Sequence, residues 1–128
     1  QHDVDIISES EISIFDNNVK WTANGFTIDG NNRIVVYNFQ TDSYSYYLEN
    51  SIQQEDVRTI SEGRSQILPN GDLFIEETNY GRLLYLNRDG SKRWSYINSS
   101  TDNLNYYLSW SRIIFKDEEL SIINKFNN

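Results

Sequence analysis

The sequence predicts an all-β chain, a partial β-propeller of about two and a half four-stranded antiparallel blades. Two observations carry this. Short runs rich in Ile, Val, Tyr and Phe alternate with clusters of Asn, Gly, Asp and Ser along the chain, which is how strands and turns are written. Three stretches of the chain also superpose in register, four strands to a unit at a spacing of about 40–50 residues, as propeller blades do. A β-sandwich would share the short strands but not three in-register copies.

The elements follow in order. Runs at residues 3–7, 11–15, 33–39 and 44–48 form a first unit, blade 1–50. Its excess length falls at residues 18–31, read as a loop between the second and third strands. Residues 51–62 read as a connecting loop. Runs at 64–68, 73–77, 82–87 and 93–97 form blade 63–99, separated by Pro69-Asn70-Gly71, Asn79-Tyr80-Gly81 and Asp89-Gly90. Those turns have a mechanism, since Gly and Asn accept positive φ and Pro presets the first turn position. A partial blade, 106–126, begins with a strand at 107–115, turns at 116–118 and ends with a strand at 119–125. Nothing reads as a long amphipathic helix.

The superposition places Glu11-Ile12-Ser13-Ile14 on Asp72-Leu73-Phe74-Ile75 and on Glu119-Leu120-Ser121-Ile122. Ile6 then falls on Ile67 and Ile114, and Ile7 on Leu68 and Phe115. Arg33 overlies Arg82, and Tyr47-Leu48 overlies Tyr96-Ile97. The same alignment sets His2, Gly63 and Trp110 at equivalent strand starts, with Asp3, Arg64 and Ser111 beside them. Two and a half blades cannot close a ring, so residues 1–128 read as one segment whose partners are the remaining blades of a larger propeller or further copies of itself.

Composition narrows the function. The 128 residues are 38% hydrophobic and 14% aromatic, enough for one core. No run approaches the roughly 18 apolar residues of a membrane-spanning helix. The formal charge is -8, from 11 basic and 19 acidic side chains, with no basic stripe, which argues against nucleic acid. There is no cysteine, hence no disulfide framework and no thiolate metal site. Asp117-Glu118-Glu119 reads as a solvated turn, and the segment from Asp16 to Gly25 departs from a Ca²⁺ loop and lacks its closing Glu. No metal and no cofactor are expected. The first residues carry no signal-peptide pattern, and Asn98-Ser99-Ser100 fits a glycosylation sequon, relevant only in a eukaryotic secretory setting.

Several motifs add a family likeness. They are Gln1-His2-Asp3, Phe15-Asp16-Asn17-Asn18, Asn32-Arg33-Ile34-Val35-Val36-Tyr37, Leu68-Pro69-Asn70-Gly71-Asp72, Tyr80-Gly81-Arg82 and Arg88-Asp89-Gly90 followed by Trp94-Ser95-Tyr96. In this order they resemble the C-terminal half of the arylsulfotransferase-type propellers, over nearly the whole chain. The QHD start followed by FDN is the sharper part of the likeness; the other strings recur in many propeller blades. The chain departs from the family pattern at Asn18 (usually Gly), Asp72 (usually Asn) and Ser95 (often Glu).

The resemblance implies an arylsulfate sulfotransferase in the complete protein, exported to the periplasm or outside the cell, with a phenolic sulfate ester as donor and a phenol as acceptor. His2 matches the histidine that becomes transiently sulfated. The family's other active-site histidine, arginine and asparagine positions belong to earlier blades, so the isolated chain is expected to be inactive. The chemistry accounts for the residue types. A neutral imidazole, the majority form of an ordinary histidine near pH 7, can attack sulfur in line with a departing phenolate, and a second phenol then takes the group. The sulfuryl oxygens need fixed donors or cations. Arg64 and Trp110 are the substrate-binding candidates, because their strand starts share the channel mouth with His2.

Plainer readings stand beside these. A histidine near a chain end is commonly just exposed, Arg64 can be a surface charge, and Trp94 and Trp110 can be packing residues. The competing function is a non-catalytic propeller that binds a protein or glycan through its channel face.

Overall fold

The computed structural model describes residues 2–116. Among them the regular secondary structure is almost entirely β. Four strands, β1 (His2–Ile6), β2 (Glu11–Asp16), β5 (Arg33–Asn38) and β6 (Ser43–Tyr46), form an antiparallel sheet in the order β1-β2-β5-β6. A second sheet joins β7 (Arg64–Ile67), β8 (Leu73–Glu77), β9 (Arg82–Leu86) and β10 (Lys92–Ile97) side by side in chain order. β3 (Val19–Thr22) and β4 (Gly25–Ile28) make a separate hairpin. The described sheets do not close on themselves.

Turn chemistry sets the strand ends. At Leu68-Pro69-Asn70-Gly71-Asp72, Gly71 N–H donates to Leu68 O at 2.8 Å and Leu68 N–H to Asp72 O at 2.8 Å. Gly71 takes φ 82°, which a side chain would strain. The two four-stranded sheets repeat a charge pair at one register position. Asp16 lies opposite Arg33 and binds it at 2.6 Å, as Glu77 lies opposite Arg82 and binds it.

The core lies between the sheets. Phe15, Ile34, Leu73, Ile75, Leu84 and Leu86 are fully buried together, with Ile52 and Val57 from the segment that joins the two sheets. Each such side chain contributes about 1.5–3 kcal/mol on leaving water. β8 is buried along its whole length, both faces included. One face carries Leu73 and Ile75, and the two carboxylates on this strand, Glu76 and Glu77, are hydrogen-bonded rather than stranded.

Three expectations need correction. Residues 18–31 are not an irregular loop, because Val19 to Ile28 pairs as a hairpin around Ala23-Asn24. Gly25 takes φ 105° beyond that turn, the Lys20–Asp29 pair at 2.6 Å staples the base, and Trp21 meets Phe26 edge to face at 4.8 Å. Residues 51–62 are not all loop either, since the helix α1 (Glu49–Gln54) enters them. Six residues do not hold a helix alone; burial of Ile52 in the core does so here. Residues 107–115 form no regular strand. The segment is instead hooked to the second sheet by side chains: Gln66 receives Ile113 N–H at 3.0 Å and donates to Ile113 O at 3.3 Å, while Glu76 receives Ser111 N–H at 2.6 Å. Gln66 and Glu76 take hydrogen bonds that a neighbouring strand would have supplied. The expected turn from residue 117 and the strand at 119–125 lie outside the described residues.

Candidate functional site

The site is built where the two four-stranded sheets begin. His2 opens β1, an edge strand, and pairs with Phe15 of β2. Val4 pairs with the next residue, Ile14, so Asp3 has no opposite number: it forms a bulge with φ 52°. The bulge aims the Asp3 carboxylate at the second sheet. Arg64 donates to Oδ1 through Nε at 3.1 Å and Nη2 at 2.9 Å, and Ser65 N–H donates to Oδ2 at 3.0 Å. Both side chains are nearly withdrawn from water, at 11% exposed for Asp3 and 12% for Arg64. Such a pair is held by geometry and by its extra hydrogen bond, because Coulomb attraction alone does little more than offset desolvation.

Arg64 has two further features. Its guanidinium lies 4.4 Å from the centroid of the Trp110 ring, a cation–π arrangement. Its Nη1 is buried and has no hydrogen-bond partner among the described residues.

The residue before Arg64 must be glycine. Gly63 takes φ 133°, and a Cβ there would stand 2.6 Å from Phe15 Cε1 and 2.7 Å from Thr59 Cγ2. The sheets approach too closely at this point for any side chain.

Phe15-Asp16-Asn17 is the bracket that holds this approach. Phe15 fills the core. Asp16 binds Arg33 and receives Asn18 N–H at 3.0 Å. Asn17 Nδ2 donates to Thr59 O and Glu62 O, both at 3.0 Å, and Asn32 Nδ2 donates to Thr59 O at 2.9 Å and to Asn17 O at 2.8 Å. Two buried amides thus fix the backbone of the linker that delivers Gly63 and Arg64. Asn79 clamps the same linker from the other side, receiving Ile60 N–H at 3.0 Å and Ser61 N–H at 2.9 Å.

The three residues singled out from the sequence come together. His2, Arg64 and Trp110 line one cavity of about 310 Å³, with the carboxylates of Asp3, Glu62 and Glu76 also on its wall. Asp3 is engaged by Arg64, and Glu76 is engaged by Ser111 N–H and by the Thr78 hydroxyl at 2.9 Å. Trp110 is mostly exposed and sits at φ 67°, so it reaches Arg64 from a tight bend and not from a strand start. Trp94, by contrast, is in contact with Phe74 and Tyr85, the packing role anticipated for it.

Sequence reasoning missed Asp3 as the partner of Arg64 and missed the Asn17–Asn32 bracket. The alignment that set Asp3 beside His2 and Arg64 beside Gly63 already held the first signal. The second lay in two asparagines, each next to a strand end, within the quoted motifs. No group of three His, Asp or Glu side chains near enough to share a metal ion occurs among the described residues, and no helix there is long and apolar enough to cross a membrane.

A search of curated proteins and of solved structures found no match to the chain. A family model described as Arylsulfotransferase (ASST) matches residues 1–99, well over half of it.

Proposed function

The chain belongs to the arylsulfotransferase family, and on that premise we propose that it is the C-terminal part of a β-propeller that moves a sulfuryl group between phenols through a sulfated His2. A neutral His2 imidazole nitrogen attacks the sulfur of an aryl sulfate. The N–S bond forms as the S–O bond to the ring breaks, and the phenolate leaves with the electron pair. A second phenol then attacks sulfur and gives its proton to solvent, from which the released phenolate takes one up, and the N–S bond breaks with its electron pair returning to the imidazole.

The observation that carries this reading is that His2 shares a cavity with Arg64 and Trp110. A guanidinium on the same wall as the imidazole is a fixed cation of the kind the sulfuryl oxygens need. Trp110 and Asp3 hold that guanidinium by its face and by one edge. This is the preorganised electrostatics that charge development requires.

The remaining blades of a longer propeller complete the site. Val4 and Ile6, 60% and 84% exposed on the same strand as His2, present the apolar face that a preceding blade would cover. Those blades must also bring cations, because three carboxylates stand on this wall against one guanidinium. The same charge balance favours the second reading, a non-catalytic propeller that binds a protein or glycan through this face.

One experiment separates the two. In the full-length protein, His2→Asn should keep the fold while abolishing both transfer from 4-nitrophenyl sulfate to phenol and the sulfated-protein intermediate seen by mass spectrometry. Asparagine retains hydrogen bonding but cannot carry the group. Turnover at near wild-type rate in that variant would remove His2 as nucleophile and leave the binding module.

A further inference from the structure

Trp110 belongs to a segment outside the sheets, yet its ring is held at one place on the Arg64 guanidinium. Arg64 and Gln66 alternate onto one face of β7, and Glu76 and Phe74 stand opposite them in register on β8. Residues 110–113 lie across that face as a strap. Trp110 meets Arg64, Ser111 N–H donates to Glu76 at 2.6 Å, and Ile113 is clasped by Gln66 through both its N–H at 3.0 Å and its O at 3.3 Å. Among the described residues, the hydrogen bonds of residues 108–114 all run to these two side chains.

The clasps matter because of the backbone at Trp110. Its φ of 67° is left-handed, a conformation that a bulky residue keeps only where its surroundings enforce it. Released from the sheet, the bend would relax and the indole would leave the guanidinium. Glu76 fixes the residue after the bend and Gln66 fixes the one two further on, so the chain cannot turn back. The two clasps differ in kind. Glu76 stands in the wall of the Arg64 cavity and carries charge, so replacing it alters the site directly. Gln66 is neutral, does not line that cavity, and reaches it through Ile113.

We propose that Gln66 is a positioning residue of the candidate site, which by clasping Ile113 keeps Trp110 on Arg64 and so sets the affinity for the aryl sulfate. The inference rests on the sulfuryl-transfer reading. It makes Trp110 a wall whose placement is decided outside the cavity.

The test uses the full-length protein in the His2→Asn background without a phenol acceptor, so that 4-nitrophenyl sulfate is bound and not consumed. Its dissociation constant is measured by isothermal titration with Gln66→Ala, with Trp110→Ala and with both. Each single substitution should weaken binding about three- to tenfold, the order of one cation–π contact, and the pair should weaken it no more than Trp110→Ala alone. Hydrogen exchange at Ser111 N–H should quicken in Gln66→Ala while exchange at Ser65 N–H stays unchanged. Unaltered affinity in Gln66→Ala, or losses that add in the pair, would overturn the proposal. Quickened exchange at Ser65 as well would also overturn it, since Gln66 would then support the sheet and not the strap. Absence of binding in all four proteins would remove the site and the proposal together. Turnover by His2→Asn once phenol is supplied would remove the sulfohistidine alone, and a loss of affinity shared by the two single variants and their pair would still uphold the role of Gln66.

Discussion

Replacing Asp3 by alanine tests the tie between the two sheets most directly. The substitution takes away three hydrogen bonds, two from Arg64 and one from Ser65 N–H, and leaves a guanidinium that is 12% exposed without its hydrogen-bonded counter-charge. Breaking a buried pair from one side costs about 3–5 kcal/mol. With little solvent to screen the site, the cost should sit within that range. At a urea slope of about 2 kcal/mol per molar, the unfolding midpoint should fall by about 2 M with the slope unchanged. A local probe accompanies the global one. Ser65 N–H loses a charged acceptor, so its hydrogen exchange should quicken about tenfold or more. Asp3→Ala combined with Arg64→Met removes both charges, and the double variant should be more stable than the sum of the single losses by about 0.5–3 kcal/mol. Strict additivity, or unchanged exchange at Ser65, would refute the claim that this pair joins the sheets.

Two further perturbations bear on the same frame. Burial pushes the Asp72 carboxyl up, but bonds from the Tyr85 hydroxyl at 2.9 Å, Arg88 N–H at 2.9 Å and the Asn70 amide at 2.8 Å, with Arg93 nearby, outweigh it and hold the group below its ordinary value of 3.8. A depressed carboxyl contributes stability above 3.8 that is lost as pH falls, so the melting temperature of wild type should drop more steeply than that of Asp72→Asn on acidification below about pH 4; parallel curves would count against this. Gly63→Ala should destabilise through both the forbidden φ and the overlap with Phe15, each about 1–3 kcal/mol. Gly25→Ala, with open space around it at φ 105°, should show the first cost alone, and equal losses in the two variants would mean that close packing at Gly63 plays no part.

Much of this architecture was legible because strands and turns announce themselves locally. Residues 73–77 coincide with β8, and the neighbouring strands end within a residue or two of their expected limits. The hairpin at residues 19–28 was equally visible, as a β-rich run broken by Ala23-Asn24-Gly25. It was overlooked because it exceeds the repeat, and comparison with the other units treats excess as loop. Helix α1 had no such local mark. Leu48 caps it in a left-handed conformation with no side-chain bond, so only tertiary burial of Ile52 defines it. Residues 107–115 read as a strand by composition, but strand formation also needs a partner, and Gln66 and Glu76 occupy the backbone groups of Ser111 and Ile113. For the site, register sufficed to bring His2, Arg64 and Trp110 to one cavity. The direction of the Asp3 carboxylate did not follow, because a bulge is invisible to a pattern of period two.

That bulge makes chain length near His2 a constraint separate from residue identity. Phe15 stands opposite His2 and Ile14 opposite Val4, and the intervening residue has nowhere else to go. Deleting one residue here would close the ladder and withdraw the carboxylate from Arg64. Adding one would turn the imidazole away from the cavity it shares with Arg64. The tip of the hairpin, by contrast, touches no ladder but its own, so extra residues at Ala23-Asn24 would leave every other pairing intact. Aligned with its relatives, this chain should therefore tolerate gaps freely between residues 22 and 25 and hardly at all between residues 2 and 4.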